Sequence, residues 1–130
     1  MNKGLLKVLK YDYAVEMDKK RNLKAIRTLY DMSEKEEYHI DEQTWHDLDL
    51  DKVYSKLDRN YSSLGEAALY SMLRNPLNDE EKLNNRREEI EYFKENEEVR
   101  FNIMGIFFEL GRDKKNSLLD MINEKLIESN

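Results

Sequence analysis

One proline and four glycines in 130 residues leave few of the tight chain reversals that a sheet-rich fold requires. Strands that recur at short intervals are punctuated by such residues, whereas long helices exclude them. The chain therefore reads as all-α, an irregular bundle of about five to seven helices, with a short extended segment near residues 38–50. Hydrophobic residues make up 39% and charged residues 38%, the mixture expected of amphipathic helices with solvated outer faces. No apolar run approaches the roughly 20 residues of a spanning helix, and Met1-Asn2-Lys3-Gly4 does not begin a signal peptide. The absence of cysteine removes disulfides, zinc thiolates and thiol nucleophiles. A cytoplasmic protein without a membrane partner is the expectation.

Apolar spacing places the helices. Leu6, Leu9, Tyr13 and Met17 fall on one helical face, and the phase then shifts to Leu23, Ile26 and Tyr30, which predicts a break near Lys20–Asn22. Tyr38-His39-Ile40 and Trp45 interrupt the helical spacing and predict the extended piece. Asp49 or Asp51 is suited to cap a short helix with Val53 and Leu57 inward. Ser63 and Glu66 form a capping box, followed by Leu64, Ala68, Met72 and Leu73 on one face until Pro76 ends the helix. Asn78 with Asp79, Glu80 and Glu81 restarts it, and Leu83, Ile90 and Phe93 are expected inward. Asn96 is the cap expected for a helix carrying Val99, Ile103, Phe107 and Leu110 inward, closed by Gly111. Leu119, Ile122 and Leu126 mark a last helix.

Charge is distributed unevenly. Residues 1–30 hold eight basic and three acidic residues, a net +5, while the remainder holds fourteen basic and twenty-five acidic residues, a net −11. An acidic body is a poor surface for phosphates, so any nucleic-acid contact made by this chain alone would fall to the basic arm. A solvated helix face is the simpler reading of that arm. The chain divides into a basic helical arm, 1–37, and a helical body, 38–130.

Chemistry-bearing patterns are sparse. Gly4, Gly65, Gly105 and Gly111 match no phosphate-binding loop. Glu36 and His39 have the E-x-x-H spacing with which di-iron bundles set two ligands on one helix face, but Gln43 precedes His46 where a second copy needs glutamate. The acidic runs at 34–37, 79–81 and 88–91 read as outer helix faces, lacking the cleft that separates the pKa values of catalytic carboxylates. No catalytic, cofactor-binding or metal-binding residue is assigned.

The segment from Asp41 to Leu77, DEQTWHDLDLDKVYSKLDRNYSSLGEAALYSMLRNPL, resembles the start of the core domain of MutS-family DNA-repair ATPases. Asp41-Glu42-Gln43-Thr44 with Leu48-Asp49-Leu50 is similar to the family's D-x-x-T-x-x-x-L-E-L. Leu57-Asp58-Arg59 is similar to its L-D-x-T, Ser63-Leu64-Gly65 to its T-x-M-G or T-x-x-G turn, and Leu73-Arg74-Asn75-Pro76-Leu77 to its W-L-x-x-P-L. Leu83, Arg86 or Arg87, Ile90 and Phe93 then follow its I-x-x-R-x-x-x-V-x-x-L helix, so the resemblance spans residues 41–112. Asn60 stands where many members have threonine, and Glu66-Ala67-Ala68 replaces the usual small residue and arginine.

The resemblance implies a non-catalytic helical core segment of a shortened MutS-like protein, because forty preceding residues are too few for mismatch-recognition and connector domains. It further implies ATP and magnesium at an ATPase domain of the same protein outside this chain, beyond Asn130. DNA would be engaged through the full-length protein, and a homodimer of that protein is compatible. Phe107-Phe108-Glu109 has the F-x-E form of a mismatch wedge, but helical spacing predicts Phe107 inward with Ile103 and Leu110, as core packing. Two readings of other classes stand beside this one: a freestanding helical module that binds a protein, and a carboxylate metalloprotein using Glu36 and His39.

Overall fold

A computed structural model describes residues 1–111 together with 124 and 125. Among the described residues there are seven helices and no strand: α1 (Lys3–Ala14), α2 (Leu23–Met32), α3 (Glu42–Asp47), α4 (Leu50–Leu57), α5 (Ser63–Arg74), α6 (Glu80–Glu95) and α7 (Glu97–Leu110). The protein is an all-α irregular bundle. Leu119, Ile122 and Leu126, expected on a further helix, lie outside the described residues. No helix among the described residues is long and apolar enough to cross a membrane.

Local chemistry explains most boundaries. The Asn2 side chain accepts from the Gly4 N–H at 2.7 Å to open α1, and the Asn22 side chain accepts from Ala25 at 3.1 Å to open α2. The expected break is broader than Lys20–Asn22, since α1 ends at Ala14 and Met17 lies in the connection. Extended backbone in the 38–50 stretch is confined to residues preceding α3, because Asp41 (ψ 168°) caps that helix by accepting from Thr44 at 2.7 Å. Asp49 precedes α4 in the left-handed region (φ 52°) without a side-chain cap bond. The cap of α5 is Ser62 rather than Ser63: Ser62 is extended, and its hydroxyl accepts from Gly65 at 3.0 Å. Asp79, not Asn78, caps α6, accepting from Glu81 and Lys82. Asn96 precedes α7 but makes no side-chain cap bond, while Gly111 ends it at φ +64°, as its sequence position predicts.

The main core forms where α2 packs on α5 and α3–α4 close the side. It consists of Ile26, Tyr30, Trp45, Tyr54 and Tyr70, flanked by Leu23, Ile40, Leu50, Leu69 and Leu73. Tyr70 is its hub, with ring centroids 4.9 Å from Trp45, 5.6 Å from Tyr54 and 6.2 Å from Tyr30. Rings bury large areas and gain further from tilted and edge-to-face contacts, provided their polar ends are satisfied. They are: the Tyr54 hydroxyl donates to the Glu66 carbonyl at 3.0 Å, and the Trp45 indole N–H to Asp51 at 2.8 Å.

A smaller contact joins α1 to α7 through Leu9, Phe101 and Gly105. A Cβ at Gly105 would stand 3.3 Å from the Met1 Cε and 3.8 Å from a Leu9 methyl, so glycine lets the two helices approach closely. Residues of the 1–37 arm thus pack on both α5 and α7. Helix α6 packs along α7 and has no buried residue.

Several expected inward faces are turned outward. In α4 the inward residues are Tyr54 and the following Asp58, one position beyond Val53 and Leu57, which are exposed. In α5 they are Ser63, Glu66, Ala67, Tyr70 and Arg74, while Leu64 and Met72 are exposed. One residue rotates a helical face by about 100°. Leu83, Ile90 and Phe93 of α6 and Phe107 and Leu110 of α7 are also exposed, so Phe107 is not core packing.

Candidate functional site

The densest chemistry lies where α4 hands over to α5. Asp58 is fully buried just past the last turn of α4, and its side chain organises three chain segments. One oxygen faces Lys19 Nζ at 3.0 Å and accepts from Arg21 Nε at 2.8 Å; the other accepts from the Asn60 backbone and side-chain nitrogens, both at 2.9 Å. Lys19 also donates to the Asn60 carbonyl at 2.7 Å and lies 3.7 Å from the Glu66 carboxylate. Arg21 reaches the Ser55 carbonyl at 3.1 Å and the Met17 carbonyl at 3.3 Å. Two cations from the α1–α2 connection are thereby set against two carboxylates of the α4–α5 corner. Burial alone would raise the Asp58 pKa, but the bonds from Arg21, Asn60 and Lys19 outweigh it and hold the carboxyl below its ordinary value.

A second polar knot fixes the opposite end of α5. Arg74 is buried, with its guanidinium carbon 4.1 Å from the Tyr30 ring centroid. It donates to the Ile40 carbonyl from Nε (3.1 Å) and from a terminal nitrogen (2.9 Å), to Glu42 at 3.1 Å and to the Tyr70 hydroxyl at 3.2 Å. In return Ile40 N–H donates to the Arg74 carbonyl at 2.8 Å. Burial lowers the pKa of this guanidinium, and the Tyr70 and Glu42 contacts reverse that, leaving it raised.

The residues singled out from sequence divide between these knots and the surface. Asp58, Ser63, Gly65 and Glu66 gather at the α4–α5 corner. Ser63 and Glu66 are buried, and a Cβ on Gly65 would stand 2.8 Å from Asn60 Oδ1. Asp41 and Thr44 form the α3 cap, and Leu73 packs against the core. The Asp41 carboxyl is held below its ordinary value first by the Thr44 backbone N–H and then by the Thr44 side chain. Leu48 and Leu57 are exposed; Pro76 is exposed beyond α5, and Leu77 is half-buried. Lys19, Arg21, Tyr54, Tyr70 and Arg74 were not apparent from spacing, because their partners lie far along the chain or on the polar side of a helical wheel.

The E-x-x-H pair does not share a helix face. Glu36 and His39 follow α2 in a turn, and His39 is exposed with its Nδ1 2.8 Å from the Glu36 carbonyl oxygen. Among the described residues no group of three or more His, Asp or Glu side chains is placed to hold a metal ion. Compared with family models, curated proteins and solved structures, the chain matches none.

Proposed function

We propose that this chain is the helical core segment of a MutS-like DNA-maintenance ATPase in the cytoplasm, itself non-catalytic, linking DNA grip to an ATPase domain of the same protein. One observation carries this reading: the motif-bearing stretch Asp41–Leu77 folds into an interlocked unit in which Asp41, Asp58, Glu66 and Leu73 hold junctions between its elements. Asp41 caps α3, Asp58 and Glu66 bind the α4–α5 corner to the basic connection, and Leu73 packs into the core. Such a unit transmits a displacement applied at one end, and coupling of this kind is worth about 1–3 kcal/mol when the packed element has two arrangements. ATP and magnesium belong to the ATPase domain, and DNA to the full-length protein. The chain carries a net charge of −6, and three of its early cations, Lys19, Arg21 and Arg27, are engaged internally.

A second reading, a freestanding helical module that binds a protein, draws support from the exposed apolar side chains of α6 and α7, among them Ile90, Ile106 and Leu110. Purifying the product of the complete source gene separates the two. The MutS-like reading predicts ATP hydrolysis stimulated by DNA, and a variant Asp58→Asn that keeps basal hydrolysis but loses much of the stimulation. A complete product without ATPase activity, copurifying with a protein rather than DNA, would sink it.

A further inference from the structure

Beside the Asp58 knot a cleft of about 270 Å³ opens between the α4–α5 corner and the outer face of α7. Its walls are apolar on one side, with Phe93, Ile103, Met104 and Phe107, and polar on the other, with Tyr61 and Ser62. Its ionisable lining is entirely cationic at neutral pH apart from the neutral Tyr61 phenol: Arg59 from the corner and Arg100 from α7.

Neither guanidinium is neutralised by a carboxylate of the described residues. Asp58, the sequence neighbour of Arg59, is committed to Lys19 and Arg21. Arg59 donates through a single terminal nitrogen, to the Lys56 carbonyl at 2.5 Å and more distantly to the Asp58 carbonyl at 3.5 Å. Arg100 likewise uses one terminal nitrogen, on the Phe93 carbonyl at 2.9 Å and the Lys94 carbonyl at 3.5 Å. Its guanidinium carbon lies 4.3 Å from the Tyr13 ring centroid and 4.9 Å from that of Phe101, close enough for cation–π attraction to hold it beside both rings. In both residues Nε is buried and has no hydrogen-bond partner among the described residues. A charged group left without a counter-ion beside an apolar wall is costly, and two guanidiniums lining one cleft call for an acceptor with several oxygens. The planar guanidinium fork suits a carboxylate or phosphate, and two positively charged groups on one cleft repel until such an anion lies between them.

We propose that this cleft is a binding site for a small organic anion, an oxyanion head group held by Arg59 and Arg100 on a flat apolar body seated against Phe93, Ile103 and Phe107. Both halves of the ligand follow from the walls: the guanidiniums select the head, and the apolar side selects the body. This inference does not depend on the MutS-like reading.

The test uses the 130-residue chain and simple probes. Phenyl phosphate and phenylacetate are titrated while amide shifts are followed by NMR, with inorganic phosphate and phenol as the head-only and body-only controls. Saturable binding of phenyl phosphate or phenylacetate is expected, with shifts centred on Tyr61, Ser62 and Gly65, and the two arms show whether phosphate or carboxylate is preferred. Arg59→Met and Arg100→Met each weaken it by about tenfold or more, while lysine at either position restores part of the affinity. Lys10→Met, away from the cleft, leaves binding unchanged. If a methionine variant does not fold, the wild-type shift map and the two control probes still decide. No saturable binding, shifts centred elsewhere, unchanged affinity in folded variants, or inorganic phosphate binding as tightly as phenyl phosphate would each overturn the proposal.

Discussion

Helices α2–α5 and the more highly charged α6–α7 pair both carry apolar residues at helical spacing, yet they use them in opposite ways. In α2–α5 the inward positions carry rings and ions: Tyr70 touches three other rings, and Arg74, Asp58 and Glu66 are buried against named partners. In α6 sixteen residues bury nothing, and its ends rest on local devices, the Asp79 cap with Glu80 and Glu81 in the first turn and Lys94 in the last. Apolar content alone therefore does not mark a core. Where a polar residue has a partner, it can take the inward position and turn an aliphatic neighbour outward.

The largest effect that would sharpen this contrast comes from the aromatic hub. Tyr70→Ala removes the ring shared by three contacts and is expected to cost about 4 kcal/mol in urea denaturation, whereas Ile90→Ala on α6 changes stability by no more than about 0.5 kcal/mol. Comparable losses at the two sites would break the contrast.

The ionic knot comes next. Asp58→Asn leaves Lys19 and Arg21 without their shared carboxylate and is expected to cost about 3 kcal/mol. The pH dependence has a definite sign. Because the folded pKa of Asp58 is depressed, its contribution is present above the unfolded value of about 4 and is lost as pH falls below it. Wild-type stability should thus decline in acid more steeply than that of Asp58→Asn, and the two should converge. Parallel acid profiles would show that the carboxylate is not the source of the difference.

Much of the helical framework is legible in the sequence. Leu23, Ile26 and Tyr30 line the inner face of α2 as their spacing predicts, and Gly111 ends α7. The single cap bond at Ser62, one residue before the expected box, shows the finer limit: adjacent serines offer the same side chain, and only backbone geometry selects between them. Aliphatic spacing alone selects the wrong faces in α4 and α5, because the inward positions there include the charged Asp58, Glu66 and Arg74. Their burial depends on acceptors and cations at distant positions, as with Lys19 and Asp58. The apolar spacing of α6 has the opposite outcome: Leu83, Ile90 and Phe93 form a clear stripe that packing along α7 leaves exposed.

Helices α2–α5 form the stable scaffold, with the buried aromatic and ionic contacts, and α6, which buries no residue, is a weakly held outer helix. Native-state hydrogen exchange of the isolated chain tests this division most directly. The amides of Tyr54 and Tyr70 should exchange only through global unfolding, while those at the centre of α6, around Arg87–Glu91, should exchange through local opening with far lower protection. Equal protection across both regions, changing together with denaturant, would contradict the account.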